Sequence, residues 1–235
     1  MNLSIDDLRR IAPWLRTQSD RALEILLRTE DFFGPDGQFR QLTLYDAFGF
    51  AAFLALVKTV VDIPIDMALR KVDPFSPTGQ AASIVVLMLS ATVLGIGLFI
   101  AARLMRVAAD IVTSMKAGYY LWTFIILIDI LIYPLRARSR DELLALETLS
   151  VDLDQAGEFV SSLSLSFWVF LVLFAGLIIW RLKRWTFAVR AMYAVATWRA
   201  LVVALLAEAM TQYVQTAVFN PLYREATHQS VGAAT

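Results

Sequence analysis

The sequence contains no cysteine, which excludes disulfides, thiol catalysis and cysteine-ligated metal sites. It contains one histidine, His228, in the polar C-terminal stretch, so the commonest general base and metal ligand is missing from the apolar part of the chain. Neither sign of charge is in excess: 21 basic and 21 acidic residues give a formal net charge of +0, and nothing draws the chain to nucleic acid. Catalytic signatures are lacking too. There is no phosphate-loop glycine pattern, no HExxH, no GxSxG and no serine beside a histidine that could activate it. These absences predict a protein that is not an enzyme and that needs neither cofactor nor metal.

What the chain has in quantity is apolar residues. They make up 58% of its 235 positions, with a mean hydropathy of +0.62, where soluble domains run nearer ~45–50%. Several apolar runs approach or exceed the ~18–20 residues that cross a hydrocarbon core, and the run at 82–102 is too long for an ordinary soluble core helix. The expected fold is all-α: a polytopic five-helix transmembrane bundle preceded by short N-terminal amphipathic helices. Residues 1–43 form the N-terminal region. The spans fall at about 44–65, 82–104, 117–135, 163–180 and 190–213, and residues 214–235 form a polar tail.

In the N-terminal region, Ser4 and Asp7 make a capping pattern for a short helix that Pro13 restricts. Ser19 or Asp20 could cap a second helix running to about Arg28, with Leu23, Leu26 and Leu27 on one face. Gly34-Pro35-Asp36-Gly37 marks a turn before the first span. The first 43 residues are charged and lack an apolar core, which predicts no cleavable signal peptide and makes the first span the insertion signal.

Orientation follows from Lys and Arg in short loops. Thirteen lie on the N-terminal side, counting the regions 1–43, 103–116 and 181–190, against six on the other side. This predicts a multi-pass protein of the cell inner (cytoplasmic) membrane with its N-terminus cytoplasmic. Trp180 and Trp185, bracketing Arg181, Lys183 and Arg184, read as an aromatic belt at the inner interface.

Charges inside the spans are the candidate functional residues, because each costs ~2.5–3.5 kcal/mol on insertion scales. Lys58, Asp62 and Asp66 are spaced i, i+4, i+8 and share one helical face, with Pro64 near the span exit and Pro134 near the exit of the third span. Counted from Leu44, Lys58 lies ~21 Å deep, and counted from Ala117, Asp129 lies ~18 Å deep. A Lys58 pair with Asp62, or with Asp129 across to the third span, is expected. Arg199 is deep if the fifth span starts near 190, and a snorkelling anchor if it starts near 199. Glu208 is then mid-membrane and a further partner for Lys58. This network of Lys58, Asp62, Asp129, Arg199 and Glu208 either neutralises buried charge and fixes helix order, or relays an ion or proton. Gly95 and Gly97, with Ala91 and Ala101, give small-xxx-small spacings that allow close helix approach.

The arrangement of spans resembles the Ypt-interacting-protein (Yip) family of five-span membrane proteins, in its bacterial branch. The likeness is strongest over GLFIAARLMR (97–106) and AGYYLWTFIILIDILIY (117–133), where the second span ends in small residues and a basic loop and the third opens on tyrosines. LLRTEDFFG (26–34) is similar to the segment that precedes the first span, although Thr29-Glu30 stands where the family usually has proline. RWTFAVRAMYAVATWRALVVALL (184–206) matches in layout. Eukaryotic members bind prenylated Rab-type GTPases, and no catalytic residues carry over. Composition and resemblance together imply a non-enzymatic membrane subunit or scaffold, held in the lipid bilayer, with protein partners or a homo-oligomer. The alternative is a small ion or solute transporter subunit using Lys58, Asp62, Asp129 and Glu208.

Overall fold

Three helix starts are written into the sequence as caps. Thr43 and Asp46 exchange hydrogen bonds: the Asp46 N–H donates to Thr43 Oγ1 at 3.1 Å, and the Thr43 N–H donates to Asp46 Oδ2 at 2.8 Å. Asp110 accepts from the Thr113 N–H at 2.8 Å, and Ser164 accepts from the Phe167 N–H at 3.2 Å. Each begins a long apolar helix. The computed structural model describes residues 5–68, 77–139, 142, 163–219 and 221, and every regular element within them is helical. Ser4, His228, the acidic loop 141–158 apart from Glu142, and the side chain of Asp66 lie outside the described residues.

In chain order the helices are α1 (Ile5–Leu27), α2 (Thr29–Phe33), α3 (Gln38–Gln41), α4 (Leu44–Ala68), α5 (Pro77–Leu104), α6 (Ile111–Arg138), α7 (Leu165–Tyr193) and α8 (Thr197–Val214). A π-helical turn, Gln215–Phe219, extends α8. Five stretches are long and apolar enough to cross a membrane: Leu44–Pro64, Gln80–Leu104, Ile111–Arg136, Leu165–Tyr193 and Thr197–Phe219. The chain is thus an all-α, multi-pass membrane protein.

Helix α6 is the hub, packing on α5, α4 and α7, while α8 packs on α5 and α7. Small residues set this arrangement. A Cβ on Gly118 of α6 would lie 2.4 Å from the backbone nitrogen of Gly95 on α5, so the two helices cross backbone to backbone. Gly97 faces Ala207 of α8, and Ala91 and Ala101 are fully buried. Tyrosine hydroxyls tie the helices sideways: Tyr119 to Thr92 at 2.9 Å, and Tyr193 to Ser114 at 2.6 Å.

The N-terminal region is built into the bundle. Phe32, Phe33 and Phe39 are buried against Phe50 of α4 and Tyr120 of α6, with Phe32 and Tyr120 centroids 5.1 Å apart. Tyr120 is nine residues past Ile111, so this aromatic plug reaches ~13 Å into the bundle end. Glu30 pairs with Arg190 near the end of α7. Each fully buried ring contributes roughly 2–3 kcal/mol, more than five residues of helix α2 could hold by themselves.

Several sequence expectations change here. The two short N-terminal helices are one helix that runs through Pro13. Its contacts with the bundle come after that proline, with Trp14 edge-on to Phe53 at 5.8 Å and Gln18 and Ile25 buried. Leu23 and Leu27 are exposed, and Ile25 is the buried residue of that stretch. Pro64 and Pro134 stand at the span exits as expected, although α4 and α6 continue as helix for about a turn beyond each. Helix α7 does not stop near Trp180 but continues to Tyr193, so residues 181–190 are helix and not loop, and Trp185 is buried rather than part of an interfacial belt. The last span accordingly starts at Thr197, after a turn in which Ala194 adopts the left-handed conformation at φ 50°.

Asp110, in the turn between α5 and α6, offers a test of the caps. Burial acts to raise its carboxyl, but hydrogen bonds from Thr113 and neighbouring backbone N–H groups outweigh it and hold the group below the ordinary carboxylate range. The folded pKa is therefore the lower one. Its stabilisation is complete above the ordinary range and fades as pH falls below it. Asp110→Ala is expected to cost ~0.5–2 kcal/mol at neutral pH in a detergent melt. Asp110→Asn should keep most of the cap while flattening the acid limb of the stability–pH curve. An unchanged acid limb in Asp110→Asn would remove this carboxyl from the account.

Candidate functional site

Helix α4 carries Lys58 and Asp62 one turn apart, on the side that meets α6. Lys58 Nζ lies 2.7 Å from Asp62 Oδ2 and 2.8 Å from Asp129 Oδ2 of α6, so one ammonium is shared by two carboxylates. Tyr133, one turn beyond Asp129, places its ring 5.7 Å from the same nitrogen. The Lys58 side chain is 9% exposed, while those of Asp62 and Asp129 are 20% and 30% exposed. Lys58 lies six residues before Pro64 and Asp129 seven before Arg136. The cluster is therefore ~10 Å from the end of the bundle opposite the N-terminal helices.

Among the described residues one ammonium joins two carboxylates, an arrangement that offsets the cost of placing these charges inside the spans. Among the described residues no group of three or more His, Cys, Asp or Glu gathers in a way that could hold a metal ion.

A second ion pair lies deeper. Arg181 of α7 binds Glu208 of α8, their side chains 7% and 19% exposed. Gln212 Nε2 donates to Glu208 Oε1 at 3.0 Å, and the Arg181 guanidinium stacks 5.1 Å from the Trp185 ring centroid. Glu208 is eleven residues from each end of Thr197–Phe219, hence ~16 Å from either side. This pair is charge-balanced. Its evident chemistry is to hold α7 and α8 together across the middle of the bundle.

Of the five residues singled out in the sequence, the structure brings Lys58, Asp62 and Asp129 together. Glu208 is elsewhere and belongs to Arg181, because α7 runs on as helix and carries that guanidinium inward. Arg199 joins neither cluster. It is the third residue of α8, exposed, with its guanidinium 5.4 Å from the Trp198 ring centroid, the position of an anchor at the bundle end. Arg181, Gln212 and Tyr133 are site residues that the sequence reading missed. For Arg181 a signal existed. Trp185, Ala188, Val189 and Met192 are spaced i, i+3, i+4, i+7, the period of a helix face, and all four are buried. The basic cluster just before them looked like a loop and hid that continuity. No family model, curated protein or solved structure matches the chain, so its resemblance to a five-span family rests on the segments quoted above.

Proposed function

We propose that this chain is a non-enzymatic integral membrane subunit that docks a partner protein on its N-terminal face, with that face on the cytoplasmic side of a cell inner membrane. The observation that carries this reading is the outer surface of α1. One face is held on the bundle through Trp14, Gln18 and Ile25. The other turns Leu23 and Leu27, 54% and 69% exposed, outward near Arg16 and Asp20. Exposed leucines among charges, on a helix outside the five spans, fit a protein surface of mixed character. The Yip resemblance agrees in kind, since its eukaryotic members are docking proteins.

Purification of the full chain in mild detergent, with identification of co-purifying proteins, tests this. Leu23→Glu with Leu27→Glu changes only exposed positions, where substitutions cost within ~0.5 kcal/mol. The doubly substituted protein should stay folded and lose its partner. If the parent runs as a lone monomer, or the variant keeps every partner, the docking reading fails.

One observation favours a second reading, an ion- or proton-conducting subunit: Lys58, Asp62 and Asp129 meet inside two of the spans, with both carboxylates partly exposed. Reconstituted vesicles showing a pH-dependent ion flux that Asp129→Asn abolishes would replace the docking proposal with it.

A further inference from the structure

Lys116, in the second turn of α6, is 9% exposed and has no carboxylate within salt-bridge distance among the described residues. Its nitrogen instead sits 4.7 Å from the centroid of the Phe39 ring. That nitrogen is not one of the sealed, unpartnered atoms, so it keeps an opening to the outside. A buried ammonium resting on a ring alone is poorly compensated.

The neighbourhood adds positive charge. Arg40, next to Phe39 in α3, acts electrostatically on Lys116, and Arg21 of α1 and Lys116 both act on Asp46. Arg21 Nε is sealed with no hydrogen-bond acceptor, although its Nη1 donates to Gln18 at 3.1 Å. The carboxylates that reach Lys116 are Asp110 and Asp46, and both are committed to capping helices. Three cations thus face two engaged carboxylates. The Lys116 ammonium and the exposed Arg40 guanidinium are open to a ligand, and with the surplus positive charge they suit phosphate oxygens.

The same level of the bundle has room for hydrocarbon. Leu44, Tyr45, Phe48 and Tyr119 line an apolar groove of about 400 Å³. Tyr119 is one turn beyond Lys116 on α6, and Tyr45 adjoins Asp46 on α4. We propose that Lys116, Arg40 and Arg21 form a binding site for the phosphate of an anionic phospholipid in the leaflet on the N-terminal side, with an acyl chain lying in the Tyr45–Phe48–Tyr119 groove. A membrane supplies such a ligand at the right depth, and counter-charge at that position removes the cost of burying Lys116.

The test is a lipid titration of the purified full chain in a non-ionic detergent, read as bound lipid by native mass spectrometry. The probes are dioleoyl phosphatidylglycerol, dioleoyl phosphatidylcholine and inorganic phosphate. Phosphatidylglycerol should bind at defined stoichiometry, and neither phosphatidylcholine nor a large excess of inorganic phosphate should displace it. Each cation near the surface is worth about fivefold in affinity. Lys116→Met and Arg40→Gln should each lose about that factor, and the pair should lose more than tenfold. Lys183→Gln, at an exposed lysine of α7 outside the cluster, should lose nothing. Arg40 is exposed, so its variant remains informative if Lys116→Met folds poorly. Equal binding of the two lipids, displacement by inorganic phosphate, or an equal loss in Lys183→Gln would overturn the site.

Discussion

Lys58→Met is expected to lower stability in detergent by ~3–5 kcal/mol, the cost of stripping the shared counter-charge from two carboxylates inside the bundle. The substitution leaves Asp62 and Asp129, 20% and 30% exposed, without the ammonium they share. At ~2–4 °C per kcal/mol for a chain of this size, the melting temperature should fall by roughly 6–20 °C. The cluster is asymmetric, so the carboxylates should not behave alike with the lysine. Asp129→Asn keeps the Lys58–Asp62 pair and should cost under ~1 kcal/mol, within the range of a hydrogen bond exchanged for an ion pair. Combining Lys58→Met with Asp62→Asn and Asp129→Asn removes these three charges and should recover most of the loss. A Lys58→Met protein that melts within a degree of the parent would end the account of a shared ammonium. Failure of the neutral triple variant to recover would show that the cluster does more than balance charge.

The fold was legible where one physical signal acted alone. Five apolar runs had to become spans, since a backbone in hydrocarbon must satisfy its own hydrogen bonds. The small residues of α5 marked a close crossing, although its partner Gly118 was not named. Boundaries failed where two signals competed. Arg181, Lys183 and Arg184 look like a loop to any reading that counts charge, yet Arg181 is carried into the bundle because Glu208 waits on α8. A cost of insertion read from one helix overlooks a partner on another. Pro13 misled for a different reason: it removes one backbone donor, yet α1 runs through it from Ile5 to Leu27.

The candidate site was half visible. Lys58 and Asp62 are a local pair that spacing reveals, and Asp129 follows from comparable depth. The depth estimate used Ala117 as the start of the third span, whereas α6 begins at Ile111; the agreement survives because both residues are level when counted from the opposite ends, Pro64 and Arg136. The aromatic plug could not be seen this way. Phe32, Phe33 and Phe39 lie in a polar preamble broken by Gly34 and Gly37, and only tertiary packing onto Phe50 and Tyr120 explains why three rings are there. That plug also leaves α1 as the part of the N-terminal region with a free outer face.

Gly118→Ala is expected to be among the most damaging single-methyl changes in the bundle, costing ~3 kcal/mol or more, at or above the usual ~1–3 kcal/mol of overpacking. The added carbon would stand 2.4 Å from Gly95 N, 2.6 Å from Gly95 Cα and 2.8 Å from Ala91 O. All three are backbone atoms, so no side chain can swing aside and the helices must separate. Separation would also stretch the Thr92–Tyr119 hydrogen bond that ties α5 to α6. Gly95→Ala should behave similarly, its carbon falling 2.6 Å from Met115 Cα. Gly97→Ala meets Ala207 at 3.3 Å and beyond, and needs only a small shift of α8. Gly49 and Gly176 have nothing within 4 Å of the added carbon, so alanine there should stabilise by ~0.5–1 kcal/mol through reduced backbone freedom. The five alanine variants, melted side by side in one detergent, should therefore rank with Gly49 and Gly176 above the parent, Gly97 slightly below it, and Gly95 and Gly118 far below. Because lipid tails are as apolar as leucine, close backbone contact is what distinguishes the folded bundle from dispersed helices. A Gly118→Ala protein melting with the parent would mean that α5 and α6 do not cross at these glycines, and the placement of α8 and α4 around them would have to change as well.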